Sequence, residues 1–238
     1  MDIHALLATL FPNGHDVAVD GALVHGTATT AAAASVVVVG TAAAVAIDAA
    51  IALALAERIL AALDGPPRPF VFLVDTSGQA LKRHEELIGL NAYLAHVASC
   101  VDLARRCGFP SLSLVYGEAV SGGYLSLGLM ADRAYALAEA QIRVMDLKAM
   151  ARVTRIPLEQ LQKLARESPV FAPGAENYAR MGALQAIWAV PTAALLEAAL
   201  TDLLRDAPAA RDTRIRVGHQ RGGRQLAEPA MATVARAA

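Results

Sequence analysis

Two short turns of small and polar residues contain the groups best suited to chemistry. The first covers residues 75–79, Asp-Thr-Ser-Gly-Gln, directly after an apolar run, and the second covers residues 117–124. In α/β proteins ligands collect where strands end at their carboxyl side, so both turns are expected at one site. Gly122 and Gly123 let a ligand approach the backbone, and their N–H groups stand at the predicted start of a helix. We therefore predict an oxyanion hole at these two glycines.

The first turn supplies hydroxyl and amide groups beside a flexible glycine. We take four of its residues as candidate substrate-binding residues: Thr76, Ser77, Gly78 and Gln79. Both turns also have a purely structural explanation. A pair of glycines permits tight packing of a strand on a helix, and Thr or Ser side chains in turns often hydrogen-bond nearby backbone. The turns taken one at a time leave both explanations open.

Ser121 precedes the two glycines, and residues 119–123, Ala-Val-Ser-Gly-Gly, resemble a relaxed G-x-S-x-G nucleophile elbow. Serine catalysis requires a base, which is usually histidine. In hydrolases with this elbow the histidine follows the serine in the chain, and only His219 does so here. It lies in an Arg- and Gly-rich segment that is a poor place to hold a base rigidly. Ser121 is kept as a candidate catalytic residue without a predicted triad.

The elements that must position these turns alternate between strands and helices. A hairpin is predicted at 16–27, with Asp20-Gly21 at its turn. Strands and helices then alternate, at 35–39, 46–63, 70–74, 84–106, 111–116, from about 122, and at 133–137. This order predicts an α/β layer, followed by helices after Met145. We predict one domain over 1–206 and an Arg-, Gly- and Ala-rich tail over 207–238.

The composition indicates a protein that meets another protein. Of 238 residues, 55% are hydrophobic and 18% are charged, below the roughly 25% of typical soluble domains. The net charge of −1 gives no attraction to nucleic acid or to an anionic membrane. The uncharged segment 28–47 is as long as a membrane span, but its Ala and Thr content favours a strand, a turn and a buried helix. We expect a cytoplasmic protein that binds neither nucleic acid nor membrane.

The two cysteines, Cys100 and Cys107, fall in one predicted helix. Two helical turns separate them by about 10 Å along the axis, which is too far for a disulfide. No Cys or His residues have the spacing of a zinc site. We expect reduced thiols and no metal.

Taken together, the two turns in this order and spacing resemble those of the crotonase superfamily, particularly its carboxyltransferase branch. The resemblance spans most of residues 30–205 and is closest over 70–79, 85–106 and 116–145, which include the Gly-Gly-Tyr motif ending at Tyr124. Within that branch the chain is similar to the malonate decarboxylase gamma subunits. The resemblance implies a single crotonase-like α/β domain, a ββα spiral, with C-terminal helices.

The resemblance also implies a reaction and its partners. A beta subunit and a gamma subunit, both crotonase-like, decarboxylate a malonyl group carried as a thioester on an acyl-carrier subunit. That subunit's prosthetic group is derived from CoA, and the products are an acetyl-thioester and CO2. No biotin, metal or flavin is implied, and no cofactor bound by this chain.

Loss of CO2 leaves an enolate, which donors fixed at the thioester oxygen would stabilise. The carbanion then needs a proton, and three residues are candidates to supply it: Tyr124, taken as catalytic, Glu118 and His84. Each also has a structural explanation, since Tyr124 can pack in the core, Glu118 can be solvated and His84 can lie near a helix start.

Two other functions remain open. The chain could be the carboxyltransferase subunit of a biotin-dependent malonate decarboxylase, or a structural partner whose beta subunit holds the chemistry. Arginines near the C-terminus could bind phosphates of the prosthetic arm or an acidic carrier surface, or could simply be solvated: Arg205, Arg211, Arg214, Arg216, Arg221 and Arg224.

Overall fold

The apolar runs predicted as strands form the centre of one mixed β-sheet in a computed structural model, which describes residues 1–167 and 173–237. The nine strands of the described residues are β1 (His15–Asp20), β2 (Leu23–Ala28), β3 (Val36–Thr41), β4 (Val45–Ile47), β5 (Phe70–Gln79), β6 (Ser111–Val120), β7 (Arg133–Leu137), β8 (Gln141–Arg143) and β9 (Ala186–Trp188). Their order across the sheet is β1-β2-β3-β5-β6-β7-β9. The pairs β1–β2 and β2–β3 are antiparallel, and the others are parallel. The short strands β4 and β8 pair with the ends of β5 and β6.

Helices cover both faces of the sheet. They are α1 (Ile3–Leu10), α2 (Ala49–Ala62), α3 (Arg83–Leu87), α4 (Leu90–Arg106), α5 (Ser121–Ser126), α6 (Leu147–Thr154), α7 (Leu158–Glu167), α8 (Ala175–Arg180), α9 (Ala193–Arg205), α10 (Arg214–Gln220) and α11 (Ala227–Ala237). Helices α1 and α9 share one apolar core with the sheet, and α2 and α4 share another on the opposite face. A third cluster, near α5 and α8, lies under the carboxyl ends of the central strands.

The central strands are apolar on both sides because both faces are covered. In β3, Val36 and Val38 belong to the core of α1 and α9, whereas Val37 and Val39 belong to the core of α2 and α4. Full burial of one such side chain contributes about 1.5–3 kcal/mol. The strands predicted at 35–39 and 70–74 are confirmed as β3 and β5.

The segment 28–47 forms strands and turns rather than the start of a helix. Ala43 and Ala44 have φ of 58° and 46°, and the Val45 N–H donates to the Ala42 carbonyl at 3.3 Å. This tight turn lets β4 pair with β5, so the helix predicted from residue 46 begins only after the strand ends. No helix of the described residues is long and apolar enough to cross a membrane.

The single helix predicted over 84–106 is wrong, because Gly89 divides it into α3 and α4. Gly89 has φ +76, a left-handed conformation that ends one helix and starts the next. The buried Glu85 of α3 accepts a hydrogen bond from the Ala49 N–H at 3.1 Å. This contact ties α3 to the start of α2.

The segment predicted as a tail contains two helices, and the first is packed on the domain. Val217 of α10 is buried, and the Arg221 guanidinium donates to the carbonyls of Ala179, Leu184 and Gln185 at 2.7–2.8 Å. In contrast, α11 buries no residue. Part of the arginine-rich segment is therefore structural, and the domain boundary at 206 remains a prediction.

Candidate functional site

The two turns singled out in the sequence contact each other at the ends of β5 and β6. A Cβ added at Gly123 would lie 3.0 Å from Thr76 Oγ1 and 3.1 Å from Gly78 Cα, so glycine fits there without displacing its neighbours. Gly78 has φ +101, and a Cβ there would lie 3.1 Å from the Val120 carbonyl oxygen. Pairing with β4 and β8 makes both turns part of the sheet, which fixes their backbones.

The Thr76 hydroxyl and two backbone amides of the first turn are hydrogen-bonded within the chain. The Thr76 hydroxyl donates to the Val45 carbonyl at 2.6 Å and accepts from the Gly78 N–H at 3.0 Å. The Ser77 N–H donates to the Ala44 carbonyl at 3.2 Å. Thr76 is fully buried, whereas Ser77 is exposed. Thr76 and Gly78 therefore shape the turn, while the Ser77 hydroxyl is accessible to a ligand.

The Gly122 amide differs because its partner is the end of a long, half-buried side chain, whereas the partners of Ser77 and Gly78 are a backbone carbonyl and a buried hydroxyl. Its N–H donates to Gln79 Oε1 at 3.0 Å. The Gln79 backbone is held by pairing with Ile47 in β4, but its side-chain amide can rotate without breaking a bond of the sheet. A ligand oxygen can therefore replace Gln79 at the Gly122 amide more easily than it can replace the partners of Ser77 or Gly78.

Gln79 lines two cavities, one on each side of this contact. The larger has a volume of about 470 Å³ and lies between α3–α4 and α5, with Gly122 in its wall. Its lining is mainly apolar, with polar groups from Gln79, Glu86, Asn91 and Ser126. The smaller has a volume of about 290 Å³ and lies between the two turns and the start of α6. Ser77 and Ser121 line the smaller cavity.

Ser121 has the strained backbone of a nucleophile elbow, but among the described residues no histidine lines its cavity. Its φ is +49, which is uncommon for a residue with a side chain. Among the residues that the structure describes, no histidine lines either cavity. His219 lies in α10, 3.7 Å from Glu228. The ionisable residues that line the cavity with Ser121 are Arg143 and Asp146.

Tyr124 lies in the core rather than in a cavity. Only 1% of it is exposed, and its ring packs 6.2 Å from that of Tyr178. Burial raises the pKa of the Tyr124 phenol, the charge of Tyr178 adds to this, and Arg214 opposes it. The hydroxyl has no hydrogen-bond partner among the described residues. This environment supports the packing explanation of Tyr124 over the catalytic one.

Replacing Tyr124 with phenylalanine is expected to leave turnover within about twofold and to raise the free energy of unfolding by up to about 2 kcal/mol. The substitution removes a buried hydroxyl without a partner and leaves the ring packing unchanged. Urea denaturation and steady-state kinetics measure the two effects. A large loss of turnover with an unchanged fold would instead assign the phenol a role in the reaction.

The other two proton-donor candidates are also outside both cavities. The Glu118 carboxylate accepts a hydrogen bond from Arg143 Nη2 at 2.8 Å, so it is paired rather than freely solvated. His84 is exposed, and its Nε2 lies 2.8 Å from the buried carboxylate of Glu85. Neither side chain lines the cavities beside Gln79.

Asp75, predicted from the sequence only as part of a polar turn, anchors the backbone around this site. Asp75 is 9% exposed. One of its carboxylate oxygens accepts from the Ala44 N–H at 2.9 Å, and the other accepts from the Glu118 N–H at 2.8 Å. A Cβ at Gly117 would lie 2.3 Å from Asp75 Oδ1, so the glycine makes room for the carboxylate. Asp75 therefore joins the turn before β4 to the ends of β5 and β6. The sequence signal that could have identified Asp75 is a carboxylate directly after a buried strand.

Comparison with known families decides which branch of the fold this chain represents. The family model of MdcE, the malonate decarboxylase gamma subunit, matches residues 40–238. The chain belongs to this family. The predicted resemblance is confirmed, and the gamma-family chain has the α/β, crotonase-like fold that the resemblance implied.

Solved structures extend this match over nearly the whole gamma-family chain. A Pseudomonas malonate decarboxylase hetero-tetramer in complex with coenzyme A shares 25% identity at a TM-score of 0.77, covering 98% of this chain and 96% of that one. The Pseudomonas MdcD-MdcE hetero-dimer matches at 25% identity and a TM-score of 0.74, with the same coverage. Transcarboxylase 12S, at 20% identity and a TM-score of 0.66, shares the fold over 84% of this chain and 40% of that one.

One relative is named as a carboxyltransferase that acts on a biotin-protein. The malonyl-S-ACP:biotin-protein carboxyltransferase MADD of Malonomonas rubra is 34% identical over 121 residues. The match covers 50% of this chain and 41% of that relative, so the gamma-family chain spans less than half of the relative's length. Among the described residues of this chain, no group of three or more His, Cys, Asp or Glu could hold a metal ion.

Proposed function

We propose that this chain is the gamma subunit of a biotin-independent malonate decarboxylase, and that with a crotonase-like beta subunit it converts a malonyl-thioester to an acetyl-thioester and CO2. The substrate is carried on the CoA-derived prosthetic group of an acyl-carrier subunit, and this chain binds no cofactor of its own. The main support is the Gly122 amide, which stands in the wall of the larger cavity and, among the described residues, donates only to the Gln79 side chain.

In the proposed reaction, the thioester oxygen replaces Gln79 Oε1 at the Gly122 N–H. When CO2 leaves, the electron pair of the broken C–C bond forms an enolate, and negative charge develops on that oxygen. A proton from water then adds to the α-carbon and completes the acetyl group. A donor fixed by the fold stabilises the enolate more than the ground state, and such donors are worth roughly 10²–10³ in rate. The departing carboxylate lies among the apolar side chains of the larger cavity, including Leu90 and Leu94.

Residues of the first turn contribute to substrate binding in this proposal. The Ser77 hydroxyl and the Gln79 amide line the route into the site, whereas Thr76 and Gly78 hold the turn in shape. Gly123 supports the second turn by its close approach to the first. Cleavage of the C–C bond needs no base, so the proposal does not require a histidine beside Ser121.

A biotin-dependent carboxyl transfer is the second candidate function, because the relative from Malonomonas rubra is named as a carboxyltransferase that acts on a biotin-protein. The same donors would stabilise the same enolate, and the carboxyl group would pass to biotin instead of leaving as CO2. Avidin added to cell extract separates the two, since it blocks only the biotin route.

A structural role is the third candidate. The amides of Ser77, Gly78 and Gly122 all have partners within the chain, so a beta subunit with unoccupied donors could hold the chemistry alone. In that case substitutions at Gly122 would affect assembly and not the chemical step.

The experiment that tests the proposed function is CO2 release from malonyl-thioester on the holo acyl-carrier subunit. It is measured with this chain alone, with the beta subunit alone, and with the co-expressed pair, in the presence and absence of avidin. Release by the pair alone, unaffected by avidin, is the expected result. A well-folded pair that releases no CO2 would overturn the proposal.

Replacing Gln79 with glutamate is expected to lower kcat/KM of the pair by about 10- to 100-fold, because a carboxylate holds the Gly122 N–H more strongly than a neutral amide does. Its charge also opposes the developing enolate. Gln79→Ala is the matched control and is expected to change kcat/KM by less than about tenfold, since only one neutral hydrogen bond is lost. Steady-state kinetics at constant pH compare the variants, and a glutamate variant with unchanged kcat/KM would argue against displacement of Gln79.

A further inference from the structure

A basic and apolar surface surrounds the opening of the smaller cavity. It is made of residues 81–83 and 144–153, and we call it the basic rim. Leu81 and Met145 line the cavity and are 81% and 37% exposed. Val153, on the same helix as Lys148, is 70% exposed. An exposed apolar group beside a site is typical of a surface that meets another molecule.

The basic rim has four exposed cations and one carboxylate: Lys82, Arg83, Lys148 and Arg152, and Asp146. Within the described part of the chain, no ion pair is found for any of these cations. The Asp146 carboxylate already accepts a hydrogen bond from the Ala149 N–H at 2.8 Å, as the cap of α6. The basic rim therefore has a net positive charge, and its four cations form no ion pair with the described residues.

One face of α6 begins at the cavity and carries part of this charge. Ala149 lines the smaller cavity, and residues three or four apart share one face of a helix. Arg152 and Val153 follow Ala149 by three and four residues, so they continue the same face outward from the opening. Leu81 also lines the cavity, and Lys82 and Arg83 follow it in the chain.

The arginines of the C-terminal segment, in contrast, include several with partners in the fold. Arg221 donates to three backbone carbonyls, and Arg214 donates to the Leu129 carbonyl at 2.6 Å and pairs with Asp212. Arg205 pairs with Asp202 at 2.7 Å. These guanidinium groups already have partners within the chain, which weakens the case for that segment as a docking surface.

We propose that the basic rim is the docking surface for the acidic face of the acyl-carrier subunit, whose prosthetic arm enters the site through the smaller cavity. The inference rests on the proposed function, since it assumes a substrate delivered on a carrier. Lys82, Arg83, Lys148 and Arg152 attract the carrier's carboxylates and the phosphate of the arm. The arm then passes Ser77 and Gln79 and brings the thioester to the Gly122 amide.

Two features of the rim fit such an occupant. Unpaired charges around an opening raise the rate of encounter with an oppositely charged partner and set its orientation. Flexible apolar residues such as Met145 and Leu81 adapt to a partner surface that must bind and leave in every cycle. A permanent subunit contact would be expected to be larger and less charged.

Charge reversal on α6 tests the docking surface. The variant Lys148→Glu/Arg152→Glu, assembled with the beta subunit, is compared with the wild-type pair for binding to the immobilised holo acyl-carrier subunit. We expect about tenfold weaker binding, and a wild-type affinity that falls when ionic strength rises from about 0.05 M to about 0.5 M. Because α6 buries no residue, both substitutions should leave the fold unchanged. The milder variant Lys148→Gln/Arg152→Gln should fall between wild type and the double reversal.

The matched control is a double reversal in the C-terminal segment, Arg216→Glu/Arg224→Glu, at two exposed positions. It adds the same charge at the other candidate surface and is expected to change carrier affinity by less than about twofold. Binding by the α6 variant equal to wild type, or weaker binding by the C-terminal variant alone, would overturn the assignment of the docking surface.

Turnover separates this inference from the proposed function. Malonyl-pantetheine has no phosphate and no carrier, so the α6 variant should decarboxylate it at the wild-type rate and be slow only with the carrier-borne substrate. Equal losses with both substrates would contradict docking at the rim and leave the decarboxylase function intact. Absence of CO2 release by the wild-type pair would refute the function, while carrier affinity would still report on the rim.

Discussion

Replacing Gly122 with valine is expected to lower kcat/KM for decarboxylation by about 10²- to 10³-fold in the assembled pair. A Cβ at this position would lie 3.1 Å from Leu94 Cδ1 and 3.2 Å from Gln79 Oε1. Both neighbours are ends of side chains, so the fold can accommodate the methyl groups. Inside the larger cavity, however, the valine side chain would fill the space beside the Gly122 amide, where the thioester oxygen would bind.

The matched control is Ala98→Val, which places the same valine side chain in the wall of the same cavity away from the turn. It is expected to change kcat/KM by less than about tenfold. Assembly with the beta subunit is checked by size-exclusion chromatography before the kinetics. Full turnover by a correctly assembled Gly122→Val pair would favour the structural role, with the chemistry held by the beta subunit.

Replacing Asp75 with alanine is expected to lower the free energy of unfolding by about 3–5 kcal/mol, because two hydrogen bonds to a charged acceptor are lost at once. The N–H groups of Ala44 and Glu118 would remain in a largely buried place without their acceptor. The turn at Ala43 and Ala44 already has two residues with positive φ, so it depends on this anchor. The substitution should also disorder the contact between β4 and β5, and with it the first turn.

Urea denaturation monitored by circular dichroism measures the change for Asp75→Ala. Asp64→Ala serves as the control, since Asp64 is exposed in the loop after α2 and should change stability by no more than about 0.5 kcal/mol. Asp75→Asn should lie between the two, because an amide can accept only one of the two hydrogen bonds well. An alanine variant as stable as wild type would show that water replaces the carboxylate at both amides.

The residues that could be recognised from sequence are those whose role depends on local backbone geometry. The Val-rich run of β3 predicts an apolar strand, the apolar run of β5 predicts a strand covered on both faces, and the structure buries both faces of each run. Gly122 and Gly123 predict a close approach to the backbone of the second turn, and a Cβ at Gly123 would lie 3.0 Å from Thr76 Oγ1 in the facing turn. These features follow from the steric limits that each residue type places on its own backbone.

The boundaries of the elements were predicted less well, and the reason is pairing between distant segments. Residues 45–47 have the composition of a helix start, but they form β4 because β5 offers an open edge beside them. The residues at the ends of β5 and β6 have the composition of loops, yet they pair with β4 and β8 and so belong to the sheet. Tertiary pairing therefore overrides local propensity at the strand ends that form the site.

For this protein, the sequence alone determined the fold class, the family and the two turns that meet at the ends of β5 and β6. Only the tertiary structure decided what each polar group in those turns does. It buries Tyr124 against Tyr178, pairs Gln79 with the Gly122 amide and uses Asp75 as an anchor. The physical reason is that glycine and β-branched residues act through their own backbone sterics, whereas the role of a polar side chain depends on partners that are distant in the chain.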